Sequence, residues 1–346
     1  MVNHAVQYLY LSAKPFNRPD CFTHLFDLFM MLQKTQMALL LLVVSKGILQ
    51  AQEHNPRYIK ELQVEPNTQA TPTISRTIVP HMPLKIFPPN LPKTFTLFGE
   101  KVPLEIWDVR ERFDRELLVN TYMQGSTSYI IKLMGRWMPI IEERLKAHGV
   151  PDDFKYLCIA ESALQNQTSK AGAVGFWQFM PGTASSFGLH IDHEVDERYH
   201  PEKSTDAACR YLKQAYDKFG NWTAAAASYN CGMGGYNGAL TAQGESSFYD
   251  LLLPEETMRY IFRIAALKFI LENPQRSGFH FEEDDVYHLF KLRSETIQFG
   301  VGSLIAFAKS KGTNYKTLKM LNPWLRDKTL SNSKGRTYTI LLPAAP

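Results

Sequence analysis

Ala160-Glu161-Ser162, followed ten residues later by Gly172-Ala173-Val174-Gly175-Phe176-Trp177-Gln178-Phe179-Met180-Pro181-Gly182-Thr183-Ala184, is the most informative part of this 346-residue chain. Pro151-Asp152-Asp153 opens a short helix, because proline fits a first turn and acids there oppose the positive end of the helix dipole. Phe154, Leu157 and Ile159 make that helix apolar, and it runs into Glu161. Burial raises the pKa of a carboxylate so placed, and so does the partial negative charge at a helix C-terminus. Both favour the neutral acid near neutral pH, the form a general acid requires. The competing reading of Glu161 is an ordinary solvated glutamate in a helix-ending turn. Gly172, Gly175 and the small Ala173 allow the following backbone to approach a ligand closely. Gln178, Met180 and Thr183 set an amide, a thioether and a hydroxyl around one groove, suited to sugar hydroxyls and N-acetyl groups. Each of them taken singly also suits surface or core packing; the ordered combination is what is specific.

Outward from this stretch the pattern is helical. Ile106, Val109, Phe113 and Leu117 recur at three- and four-residue steps, one face of a helix. Ser128 is placed to cap the next, with Ile131, Met134, Met138, Ile141 and Leu145 on its buried stripe and Pro139 as a kink. Thr205 to Phe219 is a further helix stopped by Gly220. The four-alanine helix from Trp222 closes with Ser228-Tyr229-Asn230-Cys231-Gly232, offering a phenol and an amide. Pro254 opens a last long helix through Met258, Ile261, Ala265 and Phe269. Beyond Glu282 the texture changes: strand at Val286–Leu292, helices at Ser303–Lys311 and Tyr315–Leu321, strand at Thr337–Leu342. The expected fold is therefore mainly α, an α-helical domain over 105–285 followed by a small β-α-α-β module over 286–346.

Composition agrees with about two domains at this length. Hydrophobic residues make up 45%, enough for a sizeable core. Lys+Arg 38 against Asp+Glu 34 gives a net charge of +4, too balanced for a dedicated nucleic-acid binder. Gln52 to Phe95 holds eight prolines, so 52–104 reads as an extended arm or linker. The apolar run Met37–Val44 is eight residues long, against the roughly 20 a spanning helix needs. With Lys34 ahead of it and small residues behind, 1–51 reads as a signal peptide with an over-extended start, translation beginning at Met30 or Met31 and cleavage following Ala51. Cys158, Cys209 and Cys231 lie among Ala, Leu and Tyr and read as small core residues, with a single bridge as the alternative.

At this point the chain resembles the lysozyme-like lytic transglycosylases of bacterial cell walls, in particular the membrane-bound type D group. The resemblance is carried by Glu161-Ser162, the G-x-x-G-x-x-Q-x-M-P segment from Gly172 to Pro181, Tyr229-Asn230 and Glu256-Thr257-x-x-Tyr260. It implies a lysozyme-like helical domain and cleavage of the β-1,4 bond between N-acetylmuramic acid and N-acetylglucosamine, leaving a 1,6-anhydro end. Glu161 would be the sole catalytic carboxylate, acid and then base. It implies substrate contacts from Ser162, Ser169, Gly175, Gln178, Met180, Thr183, Tyr229, Asn230, Glu256 and Tyr260. Phe176-Trp177 stands where relatives have Leu-Met, an apolar filler or a stacking surface. The C-terminal module is similar to LysM modules at Leu318, Leu321-Asn322-Pro323 and Tyr338 to Pro343, but Val301-Gly302-Ser303-Leu304 lacks their Asp-Thr, which leaves two readings of the module, glycan binding and packing against the catalytic domain.

The partners so implied are peptidoglycan glycan strands, with association to the cell envelope, no nucleic acid and a monomeric chain; the location is the periplasm or envelope. No cofactor and no metal is expected. The alternatives are a lysozyme-like hydrolase using Asp192, Asp196 or Glu197 to position water, a non-catalytic peptidoglycan-binding protein, and a metal site at His190, His193 and His200.

Overall fold

In the computed structural model of the chain the described residues are 87–344. The signal-peptide region and most of the proline-rich arm lie outside them. A β-hairpin leads, β1 (Phe95–Leu97) and β2 (Glu100–Val102). Helices α1 (Trp107–Tyr122), α2 (Gln124–His148), α3 (Phe154–Ser162) and α4 (Pro181–Ser186) follow. Then come α5 (Pro201–Phe219), α6 (Trp222–Gln243) and α7 (Glu255–Glu272). The C-terminal module is β3 (Leu292–Ile297), α8 (Leu304–Ser310), α9 (Tyr315–Leu321) and β4 (Tyr338–Pro343). The mainly α class and the β-α-α-β order of the module agree with the sequence.

Helix α7 is the axis of the helical domain. Met258, Ile261, Phe262, Ile264, Ala265, Leu267 and Ile270 bury it nearly all round, against α1, α3 and α6. The residues 95–104, expected to end the arm, instead enter this core: Leu97, Phe98, Val102 and Leu104 are buried. The reason is local. Phe98 and Gly99 both take positive φ, the geometry that matches a two-residue hairpin turn to strand twist. The Phe98 ring then stacks on Phe154 at 4.2 Å. Asp153 accepts from the Phe98 N–H and from Lys268 Nζ, both at 2.7 Å, which ties hairpin, α3 and α7 together.

Other boundaries move by small amounts. Helix α2 starts at Gln124 rather than after Ser128, and Pro139 sits inside it without ending it. Helix α6 continues to Gln243 across a break at Gly232 (φ 78°, ψ 145°), so the turn expected after Tyr229-Asn230 is there but the chain resumes helix. The segment Val286–Lys291 is not a strand. Its Tyr287 N–H donates to the Lys132 carbonyl of α2 and Arg136 donates to the His288 carbonyl, so its backbone is spent on a helix instead of a sheet. The strand begins at Leu292 and pairs antiparallel with β4, Leu292 opposite Pro343 and Ile297 opposite Tyr338. Asn322, fully buried, accepts from the Leu341 N–H and donates to the Leu318 and Leu341 carbonyls, holding α9 to β4. Among the described residues no helix is long and apolar enough to cross a membrane, and Cys158, Cys209 and Cys231 are free thiols.

Candidate active site

Glu161 stands one residue from the end of α3. The helix stops abruptly because Ala163 and Leu164 are both left-handed (φ 51° and 57°), an uncommon pair for residues with a Cβ. The turn leaves the Glu161 carboxyl at the junction of α3 and α7. Tyr260, buried on α7, donates its hydroxyl to Glu161 Oε1 at 2.5 Å. Burial pushes the Glu161 carboxyl up to about 7. The Tyr260 hydrogen bond and the Arg263 charge pull the other way, and the Glu256 charge adds to the rise. Other buried carboxylates are differently matched. Glu116 meets Arg115, Arg259 and Arg263, and Asp196 meets Arg198. Glu161 has a neutral phenol as its partner and can therefore hold or release a proton near neutrality.

Around it, α6 supplies Tyr229 and Asn230. The Tyr229 hydroxyl donates to the Trp177 carbonyl at 2.8 Å, and its ring lies edge-on to Trp177, Phe179 and Tyr211. Its phenol is held well above the usual range by burial and by the Glu161 charge. Asn230 Oδ1 accepts from Thr257 on α7 at 2.8 Å. Glu256, exposed at the start of α7, pairs with Arg263 at 3.2 Å.

The glycine-rich loop is a compact knot of backbone. Val174 and Phe179 exchange both N–H···O bonds at 3.1 Å, and the Gly175 N–H donates to the Gln167 carbonyl. Gly175 cannot be replaced without movement: φ is +85°, and a Cβ there would lie 2.0 Å from the Arg198 carbonyl oxygen. Gln178 is left-handed too (φ 46°), held so by its own amide, whose Nε2 donates to the Gly175 carbonyl at 2.7 Å and the Gln167 carbonyl at 3.2 Å. Strain concentrated beside Glu161 in this way is characteristic of ligand-binding turns. Met180 is 45% exposed and caps α4, and Thr183 is partly buried in its first turn. Phe176 and Trp177 are fully buried, Trp177 Nε1 donating to Thr205, so the pair is filler and not a stacking surface.

The structure thus brings Glu161, Tyr229, Asn230, Glu256 and Tyr260 together on α3, α6 and α7, beside the loop of Gly175 and Gln178. Two of the expected residues carry internal hydrogen bonds. Ser162 is buried and its hydroxyl donates back to the Cys158 carbonyl. Ser169 Oγ accepts from the Ala173 N–H, shaping the turn. The acids of the 190–200 loop are also committed. Asp192 accepts from the Glu194 and Val195 N–H groups, Asp196 from Arg198, and Glu197 from Lys203 and the His190 N–H. His190, His193 and His200 do not form a ligand set. His193 instead approaches Glu194 and Asp327 with ligand atoms within 4.8 Å, but both Glu194 oxygens already accept hydrogen bonds from Thr329 and Ser331. His200 is half-buried, and loss of solvent around its ring drives its imidazole down to about 4. Sequence reasoning missed Arg263, which spacing alone could have shown: it stands three residues after Tyr260 and seven after Glu256, on one helix face. Glu116 and Arg198 gave no such signal.

Comparison with known proteins fits this geometry. The family model described as the transglycosylase SLT domain matches residues 138–252, the region from mid-α2 to the segment between α6 and α7, which holds Glu161, Gln178 and Tyr229. Residues 138–252 are a transglycosylase SLT domain. A second match, the LysM-like C-terminal domain of soluble lytic transglycosylases, covers 293–346. The chain is 34% identical over 242 residues to the membrane-bound lytic murein transglycosylase D of Escherichia coli strain K12, and equally to that of Escherichia coli O6:H1. Each alignment takes in 67% of this chain and 51% of the relative, so the chain spans about half the length of the curated relatives it matches. An inactive mutant of the lytic transglycosylase Slt from Pseudomonas aeruginosa aligns at 18% identity and a TM-score of 0.34, over 54% of this chain and 36% of that one. Tyr260 and Glu256 lie past the matched SLT boundary, on the helix that completes the site.

Proposed function

We propose that the chain is a peptidoglycan lytic transglycosylase, with Glu161 as general acid and then general base. The observation that carries this is the carboxyl of Glu161, lifted by burial to about 7 and hydrogen-bonded to the neutral Tyr260. Glu256, the other acid near it, is exposed and paired with Arg263. A glycosidase that activates water needs two carboxylates, whereas attack by the substrate's own hydroxyl needs one. In that reaction the Glu161 proton passes to the glycosidic oxygen as the bond from C1 of N-acetylmuramic acid breaks. The C6 hydroxyl of the same sugar then bonds to C1 and gives its proton to the Glu161 carboxylate. The acid is restored, the product carries a 1,6-anhydro ring, and no water is consumed. Intramolecular attack is favoured by its high effective molarity. The similarity to lytic murein transglycosylases supports the same reading.

In this reading Gln178, with Nε2 occupied by carbonyls, offers Oε1 to a donor on the sugar, and Asn230, Met180 and Thr183 line the groove. Gly175 lets the loop approach, Tyr229 and Tyr260 orient Glu161, and Glu256 with Arg263 tunes its field. Ser162 shapes the end of α3, and Ser169, whose Oγ accepts from the Ala173 N–H, keeps its hydroxyl proton to donate to the substrate. The division into a catalytic region at 105–285, joined by the hairpin at 95–102, and a module at 286–346 belongs to the proposal. So do export to the periplasm, envelope association and the monomeric state. The test is incubation of purified peptidoglycan with the wild-type chain and Glu161→Gln, and mass analysis of what dissolves. Muropeptides lighter by one water than hydrolysis products, absent with the variant, are the expected result. Retained binding with no products from the wild type would move the chain to the non-catalytic class.

A further inference from the structure

The loop 172–180 is not held by the helical domain alone. Val174, inside the glycine-rich segment, is buried in the core of the C-terminal module together with Val195 and Tyr199, alongside Trp324, Leu325 and Leu330. The ribbon 194–199 joins the two sides. Toward the module, Val195 bridges Leu325, the Asp196 N–H donates to the Trp324 carbonyl at 2.9 Å, and the Arg326 N–H donates to the Glu194 carbonyl at 2.7 Å. The Arg326 guanidinium stacks 4.0 Å from the Tyr199 ring centre. Toward the loop, Arg198 grips Asp196 at 2.7 Å and donates to the Gly172 and Phe179 carbonyls at 3.2 and 3.0 Å. Tyr199 bonds Thr168 through its hydroxyl and Asn166 through its carbonyl.

The centre of this junction is a carboxylate. Glu194 is 6% exposed, and its two oxygens accept from Thr329 Oγ1, Ser331 Oγ and the Ser331 N–H at 2.8 to 2.9 Å, all three donors coming from the module. A greasy patch would suffice to tether two bodies. A buried carboxylate is matched only in one docked geometry, so it specifies that geometry. From this we infer that the C-terminal module is a clamp on the substrate loop, with Glu194 a positioning residue that sets residues 172–180, and so Gln178, against the groove. Its effect on turnover rests on the lytic activity proposed above; its effect on the loop does not.

Hydrogen exchange on the full-length protein tests the clamp. Glu194→Ala is expected to speed exchange at the Val174, Gly175, Gln178 and Phe179 amides by about tenfold or more, with Ile264 and Ala265 of α7 unchanged. Release of soluble muropeptides should fall in step. Glu194→Gln should restore both, since its oxygen can accept from the Ser331 N–H while its amide donates to hydroxyls that rotate to accept. Should Glu194→Ala fail to fold, Thr329→Val with Ser331→Ala removes the donors from the module's side and carries the same expectation. Faster exchange at Ile340 and Leu342 with the loop unchanged would overturn the clamp. A loop that responds while even the wild type releases no product would uphold the clamp and remove the proposed activity.

Discussion

Replacing Glu161 with glutamine should stabilise the protein above neutral pH and leave it unchanged in acid. In the unfolded chain the carboxyl titrates near its ordinary 4.5, and in the folded protein at about 7. At about 1.4 kcal/mol per pH unit, that gap corresponds to roughly 3 kcal/mol. The sign follows from which state holds the proton. Below the unfolded value both states are protonated and there is no penalty. Between the two values the unfolded chain releases its proton and the folded one keeps it, so stability declines as pH rises. Above the folded value a charge must sit in the desolvated site, and the whole penalty applies. Glutamine keeps the shape and an acceptor for the Tyr260 hydroxyl but never ionises. Urea melts of both proteins from about pH 4 to about pH 8.5, subtracted at each pH, isolate this one group. The difference should grow from near zero to roughly 3 kcal/mol in favour of Glu161→Gln, or roughly 6–12 °C in Tm. A difference independent of pH, or a variant less stable than wild type at pH 8, would refute the reasoning. Stability gained by removing the reactive group is the usual trade between activity and stability.

Three further substitutions bear on the same frame. Tyr260→Phe removes a donor that favours the carboxylate, so the high-pH limb of the kcat/KM profile should move upward by roughly one unit, and an unmoved limb would count against the Tyr260 contact. Gly175→Ala forces a Cβ to within 2.0 Å of the Arg198 carbonyl at φ +85°; urea unfolding should show a loss of roughly 2–4 kcal/mol. Arg198→Lys cannot reach Asp196, Gly172 and Phe179 together, and should cost about 3 kcal/mol in the same assay, with no compensation from its retained charge.

The helices were legible where apolar residues recur with helical period: Val109, Phe113 and Leu117 in α1 and Ile261 and Ala265 in α7 are buried as expected. The candidate site was legible where residue type and a special backbone coincide, as at Gly175 and Gln178, and where an acid ends an apolar helix, as at Glu161. The hairpin at 95–102 was hidden because its prolines upstream suggested an arm, while its stability comes from Asp153 and Lys268, distant in sequence. The strand placed at Val286–Leu292 failed for a similar reason, its backbone bonds being taken by α2. Ser162 was chosen with Glu161 as a sequence pair, but one step along a helix turns a side chain by a wide angle, and its hydroxyl meets the Cys158 carbonyl. In the ribbon 194–199, Glu194, Asp196, Glu197 and Arg198 are all buried because each finds a partner that only the folded chain supplies, and nothing in the local sequence shows those partners.

The central claim is that the nucleophile is a hydroxyl of the glycan and not water. Digestion of purified peptidoglycan in water carrying the heavy oxygen isotope tests it directly. The expected products contain no heavy oxygen and end in 1,6-anhydro sugars, because the Glu161 proton cycle consumes no water. Heavy oxygen at C1 of a reducing-end sugar would contradict it and would require a second carboxylate near Glu161 to activate water.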